Sequence, residues 1–265
     1  MNAIRLQNIF KSFDDQPLLK GFNLEVREAE TKIILGGSGS GKTTILKMIL
    51  GLIKPDSGRI FVEGQDITNL DEVDLMPIRK KIGMVFQEGA LFDSLTVGEN
   101  VAFRLREDKT QTEKEIEDTV DKLLGFVGLE RVIDKLPSEL SGGMRRRVGI
   151  ARALVGNPRI LLYDSPTSGL DPITARTICE LVIKLRDLEG VSSIFVTHHL
   201  NSAMTLASEF AENLPDGEVV FRREDGKLCL INTRFLILKD GRVLFEGSDE
   251  VLKDVDDNYI QEFLT

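Results

Sequence analysis

The chain of 265 residues carries a formal charge of −9, with 42% hydrophobic and 29% charged residues, a composition that excludes a disordered chain and fits an ordinary globular protein. The acidic balance argues against nucleic acid as a partner, because phosphate binding needs a concentrated basic surface and the longest basic run is only Arg145, Arg146 and Arg147. No segment approaches the ~20 consecutive apolar residues of a membrane-spanning helix, the N-terminus lacks a secretory signal's apolar core, and Cys179 and Cys229 lack metal-ligand spacing and read as reduced thiols.

Residues 3–35 alternate β-like stretches with turns: Ile4, Leu6 and Ile9 on one, Phe22, Leu24 and Val26 on the next, then a run ending in Ile33, Ile34 and Leu35. Phe13, between Ser12 and Asp14, is an aromatic that either joins the core or stacks on a purine. The apolar run leads into Gly36, Gly37, Ser38, Gly39, Ser40, Gly41, Lys42, Thr43 and Thr44, which match the P-loop pattern. In that pattern backbone N–H groups surround phosphates and a helix N-terminus faces their charge. Lys42 is placed to reach the β and γ phosphates and Thr43 to offer a hydroxyl to Mg²⁺, while Ile45, Leu46, Ile49 and Leu52 give the following helix one apolar stripe.

Further strands are predicted at 59–63, before the Gly64 turn, and at 82–86, ending at Gln87; between them 71–81 reads as a helix broken or kinked by Pro77. From 89 to 157 the β-rich pattern stops. Val97, Val101 and Leu105 predict one helix, and Ile116, Val120, Leu123, Leu124 and Val127 a longer one, opened by Thr112 and Glu115 as a capping box. Leu140, Ser141, Gly142, Gly143 and Met144 follow, with Ser141 starting a helix whose Val148, Ile150, Ala151 and Leu154 are apolar. A buried strand at 159–163 is closed by Asp164, Asp171 and Pro172 open a helix running to 190, and the apolar strand 191–196 ends at Thr197 and His198. Such alternation of apolar strands with helices indicates a parallel sheet covered on both faces. Beyond a helix at 200–207, β-like runs at 219–221 and 228–231 around Glu224, Asp225 and Gly226 predict one hairpin, and runs at 235–238 and 243–245 around Lys239, Asp240 and Gly241 another. The last stretch, 249–264, reads as a short acidic helix with Ile260, Phe263 and Leu264 as an apolar anchor.

The P-loop, Gln87, Leu140 to Met144, Asp164, the run Ser168, Gly169, Leu170 and Asp171, and His198 occur in an order and spacing that resembles the ATP-binding subunit of an ABC transporter over nearly the whole chain. The resemblance implies an α/β P-loop NTPase fold. A RecA-like, mostly parallel sheet core with an antiparallel β subdomain would occupy 1–88 and 158–248, with an inserted helical subdomain at 89–157 and a tail at 249–265. It implies ATP and Mg²⁺ as cofactors and a head-to-tail dimer in which each P-loop faces the Ser141–Gly143 signature of the other subunit. An integral membrane permease would be the further partner, which would put this subunit in the cytoplasm, on the inner face of the membrane.

Carried over residue by residue, Phe13 would stack on adenine and residues 36–44 would hold the phosphates. Thr43, Asp164 and Gln87 would hold the metal or its waters. Ser141, Gly142 and Gly143 would meet the γ-phosphate across the dimer, His198 would touch the same phosphate, and Asp171 would communicate between the two sites. His199 falls where the family usually has an acid and reads as a surface residue; Arg145 to Arg147 read as a solvated helix face.

A narrower resemblance, in residues 87–97 and 99–107, in Met144 with the arginines after it, and in residues 259–264, is to the Mla and Mce-associated ATPases. It implies phospholipid movement across a bacterial envelope and lipid-binding transport components as partners. An ABC subunit for another substrate, a soluble ABC protein without transport, and a nucleotide-binding regulatory module stand as alternatives. The insertion at 218–231 reads as a tolerated surface feature; it or the tail could instead bind a neighbouring subunit. One departure bears on rate: Ser165 follows Asp164 where the family normally carries a catalytic glutamate. Three readings stay open: slow hydrolysis, hydrolysis restored by a partner, or a substituted, trapped form.

Overall fold

The computed structural model describes residues 2–223 and 232–264. The strands are β1 (Asn2–Phe13), β2 (Gln16–Arg27), β3 (Thr31–Gly36), β4 (Ser57–Val62), β5 (Gln65–Asp66), β6 (Ile82–Val85), β7 (Ile160–Asp164), β8 (Ser192–Thr197), β9 (Glu209–Asn213), β10 (Val219–Arg223), β11 (Thr233–Lys239) and β12 (Arg242–Gly247). The helices are α1 (Lys42–Ile49), α2 (Glu72–Arg79), α3 (Val97–Asp108), α4 (Glu113–Phe126), α5 (Gly142–Ala153), α6 (Pro172–Asp187), α7 (Leu200–Ser208), α8 (Asp249–Lys253) and α9 (Asn258–Leu264).

The central sheet has the order β12-β11-β3-β8-β7-β6, in which all strands but the edge strand β12 run parallel. Every residue of β3 and β8 is buried, because the sheet is covered on both sides. Ile33, Leu35, Tyr163, Phe195 and Ile237 join one apolar core with the helices from α3 to α7. Their chain neighbours Ile34, Leu162, Ile194, Val196 and Leu238 join a second core with α1 and the antiparallel sheet β2-β1-β4-β5. Each such fully buried side chain contributes roughly 1.5–3 kcal/mol. The carboxyl ends of the parallel strands share one rim, where an open α/β sheet places its ligand site.

The helical lobe stands on its caps as well as its apolar stripes. Thr96 with Glu99, and Thr112 with Glu115, form reciprocal capping boxes at α3 and α4, while the Ser141 side chain accepts from the Met144 N–H at the start of α5. Helix α5 lies close against β6 because residue 83 is glycine. A Cβ there would come within 2.4 Å of the Ala153 carbonyl oxygen.

Three local expectations are corrected, and a fourth falls partly outside the described residues. Helix α1 ends at Ile49, so Leu52 lies beyond its stripe and is 56% exposed. Pro77 sits inside α2 without breaking it; the N–H that proline lacks would have served residue 73, and Val73 is 78% exposed. Among the described residues strand β10 pairs with β9 across the turn at 214–217; the predicted partner of 219–221 at 228–231 and the turn between them lie outside the described residues. Arg145 to Arg147 are not a solvated face: their guanidinium groups donate to the carbonyls of Leu140, Gln87, Ser168, Val127 and Gly128.

The β9–β10 hairpin is fastened to α6 by a buried polar cluster. Arg186, 3% exposed, donates to the Leu206 and Glu209 carbonyls at 2.6 and 2.7 Å and to the Thr233 hydroxyl at 2.7 Å, and pairs with Asp187. Asp187 in turn accepts from the Ala211 N–H at 2.9 Å, and Arg176 grips the Glu209 carboxylate with both terminal nitrogens.

Candidate nucleotide site

The rim gathers residues far apart in sequence because each follows a strand of the same parallel sheet. β3 ends at Gly36, β6 is followed by Gln87, β7 ends at Asp164 and β8 is followed by His198. A cleft of ≈440 Å³ opens there, lined by Phe13, Ser38, Gly39, Ser40, Gly41, Lys42, Thr43, Thr44, Gln87, Asp164, Ser165 and His198. Gly36 and Gly37 do not line it; they form the base of the loop. Gly41 caps α1 with φ at 101°, a backbone conformation open to glycine and strained for other residues, and so turns the loop into the helix.

Lys42 lies folded onto the loop, its ammonium donating to the carbonyl oxygens of Gly36 and Gly37 at 2.8 and 2.7 Å and to Ser40 Oγ at 3.2 Å. Burial holds its pKa below the ordinary lysine value, and Asp164 opposes that shift. The Asp164 carboxyl is raised by burial, against the hydrogen bond from Thr43 and the charge of Lys42. Thr43 Oγ1 donates to Asp164 at 2.9 and 3.1 Å, so the two oxygen groups expected to meet the cation already stand together. His198 is held below the usual histidine value, first by desolvation and then by His199 and Lys42. Phe13 is at the end of β1, 44% exposed, with the Lys11 ammonium 5.2 Å from its ring centre.

Ser141, Gly142, Gly143 and Asp171 line a second cleft, which shares only Gln87 with the first. Ser141 and Asp171 each spend their side chain as a helix cap, Asp171 accepting from the N–H groups of Ile173 and Thr174 at 3.1 and 3.0 Å. One chain therefore does not bring the P-loop and the signature together. The sequence reading missed Tyr259, whose hydroxyl accepts from the Gly37 N–H at 3.1 Å while Lys239 stacks on its ring at 4.4 Å. No spacing signal announces that contact. It missed Arg146 as well, although its place four residues after Gly142 and four before the buried Ile150 puts all three on one helix face.

The ABC transporter family profile matches residues 19–168. The chain belongs to the ABC transporter family. The cassette is 40% identical, over 77% of its length, to a probable ribonucleotide transport ATP-binding protein, mkl, of Mycobacterium leprae, and spans 59% of that relative. It is 37% identical to the intermembrane phospholipid transport system ATP-binding protein MlaF of Haemophilus influenzae, over 83% of each chain. Among solved structures it resembles a dimeric ATP-binding cassette in a post-hydrolysis state bound to ADP and Pi, with a TM-score of 0.76 and 34% identity, covering 92% of this chain and 98% of that one. Among the described residues no helix is long and apolar enough to cross a membrane.

Proposed function

We propose that this cassette is the ATP-binding subunit powering a membrane transporter, one that moves phospholipid or a related lipid across a bacterial envelope. The observation that carries the ATPase reading is the rim itself, where the P-loop, Thr43, Gln87, Asp164 and His198 converge on one cleft. Lys42 would exchange the carbonyls of Gly36 and Gly37 for phosphate oxygens. Thr43, Asp164 and Gln87 offer only hard oxygen donors, a set that fits Mg²⁺, and the ion would neutralise phosphate charge when bound. Ser141 and Gly143, at the positive end of α5, would donate to a γ-phosphate held by a second copy of the chain.

The lipid reading rests on the likeness to MlaF over 83% of both chains, whereas the mkl name points to a different cargo. A permease would meet the cassette at the junction of sheet and helical lobe, where Phe86, Phe92 and Phe103 are exposed beside Gln87 and Arg152 lies over the Phe92 ring. On this reading the chain sits at the inner face of the membrane through that partner. Ser165 favours a second reading, a nucleotide-dependent switch with little turnover, since a serine hydroxyl is no base at neutral pH. The deciding experiment is affinity capture from native membranes with mass spectrometry of proteins and lipids. Recovery of a multi-spanning protein with bound phospholipid is expected; recovery of soluble partners alone rejects transport.

A further inference from the structure

Arg146 is 8% exposed, and among the described residues its guanidinium has no ion-pair partner. Backbone carbonyls take that place. Its Nε donates to the Gln87 carbonyl at 2.6 Å and its Nη2 to the Ser168 carbonyl. A Cβ on Gly142 would stand 3.4 Å from its Nη1, so the same group packs beneath the first turn of α5. Ser168 is itself tied back to the hydrolytic segment, its N–H donating to the Ser165 carbonyl at 3.1 Å.

Burial of an unpaired cation is costly unless every N–H finds an acceptor, and a planar fork is suited to hold two acceptors in fixed relation. The two held here belong to different loops. Gln87 reaches into the P-loop cleft, and residues 165–168 open the segment that runs from Asp164 to Asp171. The helix that carries Arg146 presents Ser141 and Gly143, the groups that would read a partner's nucleotide.

We infer that Arg146 is the positioning residue that ties the signature helix of each protomer to its own Gln87 and 165–168 segments. A γ-phosphate bound across the dimer then sets the geometry of hydrolysis on the near side, and the two composite sites fire together. The inference rests on the ABC reading above and adds to it the residue through which the two half-sites are coupled. Lysine keeps the charge but, as a compact point donor, cannot hold the two carbonyls in the fixed geometry of a fork.

The test compares the full-length chain with Arg146→Met and Arg146→Lys, measuring Mg-ADP affinity by calorimetry and phosphate release against ATP concentration. The P-loop is untouched, so ADP affinity is expected to stay within about twofold, whereas kcat falls about tenfold or more and the Hill coefficient drops toward one in both variants. Unchanged kcat and Hill coefficient in Arg146→Met overturn the inference. So does loss of ADP affinity in step with turnover in both variants, which marks a merely structural residue, and so does full restoration by Arg146→Lys. A wild-type chain that releases no phosphate at all rejects instead the functional reading beneath it.

Discussion

Ser165 occupies left-handed backbone with φ at 50° and lines the nucleotide cleft beside Asp164 and His198. A positioned general base is worth about 10²- to 10⁴-fold in rate. Ser165→Glu is therefore expected to raise steady-state phosphate release by about that factor with little change in KM; a flat kcat would show that the proton leaves by another route. One residue beyond His198, His199 stands at the N-cap of α7 without a side-chain capping hydrogen bond, and its Nε2 is buried with no partner among the described residues. Aspartate at that position can accept from the open N–H groups, so His199→Asp is expected to stabilise the fold by about 0.5–2 kcal/mol in urea unfolding. His198 supplies a pH signature. Its pKa is lowered on folding, so the unfolded chain binds its proton more tightly. Its contribution to stability is present in full above the ordinary histidine value of about 6.5 and is lost as pH falls through the lowered one. His198→Asn should flatten that part of the stability–pH curve.

Among the elements, α6 is held by more than apolar packing, because Arg186 binds acceptors on α7, β9 and β11 and pairs with Asp187. Arg186→Leu strands those buried groups and is expected to cost roughly 3–5 kcal/mol, read as a lower urea midpoint with an unchanged m-value. Nothing in the hydropathy of α6 points to this cluster, since an arginine in a helix normally reads as surface. The parallel strands were legible for the opposite reason: burial on both faces leaves runs such as residues 31–35 and 191–196 without polar alternation. Capping chemistry was equally legible at Thr112 and Ser141, where side chain and backbone are local partners. Polar contacts between residues distant in sequence were not. Arg146 on Gln87 and Tyr259 on Gly37 join residues 59 and 222 positions apart, and no pattern along the sequence encodes a pairing of that kind. The motif residues could be named from the sequence. Their division between two clefts that share only Gln87 emerges from the topology.

For the whole molecule, a P-loop and a signature that line separate clefts support the proposal that the single chain is half of each site. Light scattering is expected to find a dimer in Mg-ATP and a monomer in ADP. With Ser165 in place of a base the ATP dimer should persist, and Ser165→Glu should shorten its life; a mass indifferent to nucleotide would remove the composite-site reading. The C-terminal tail is part of this larger picture, because α9 brings Tyr259 back to the first turn of the P-loop. The chain has two tyrosines and no tryptophan, and the other tyrosine, Tyr163, is sealed between the sheet and its helices. Intrinsic ultraviolet emission therefore comes from one buried ring and one ring in hydrogen-bonding contact with the nucleotide loop. The protein carries its own optical gauge of P-loop occupancy: titration with ADP should change the tyrosine signal, and Tyr259→Phe should silence the response without any dye or label.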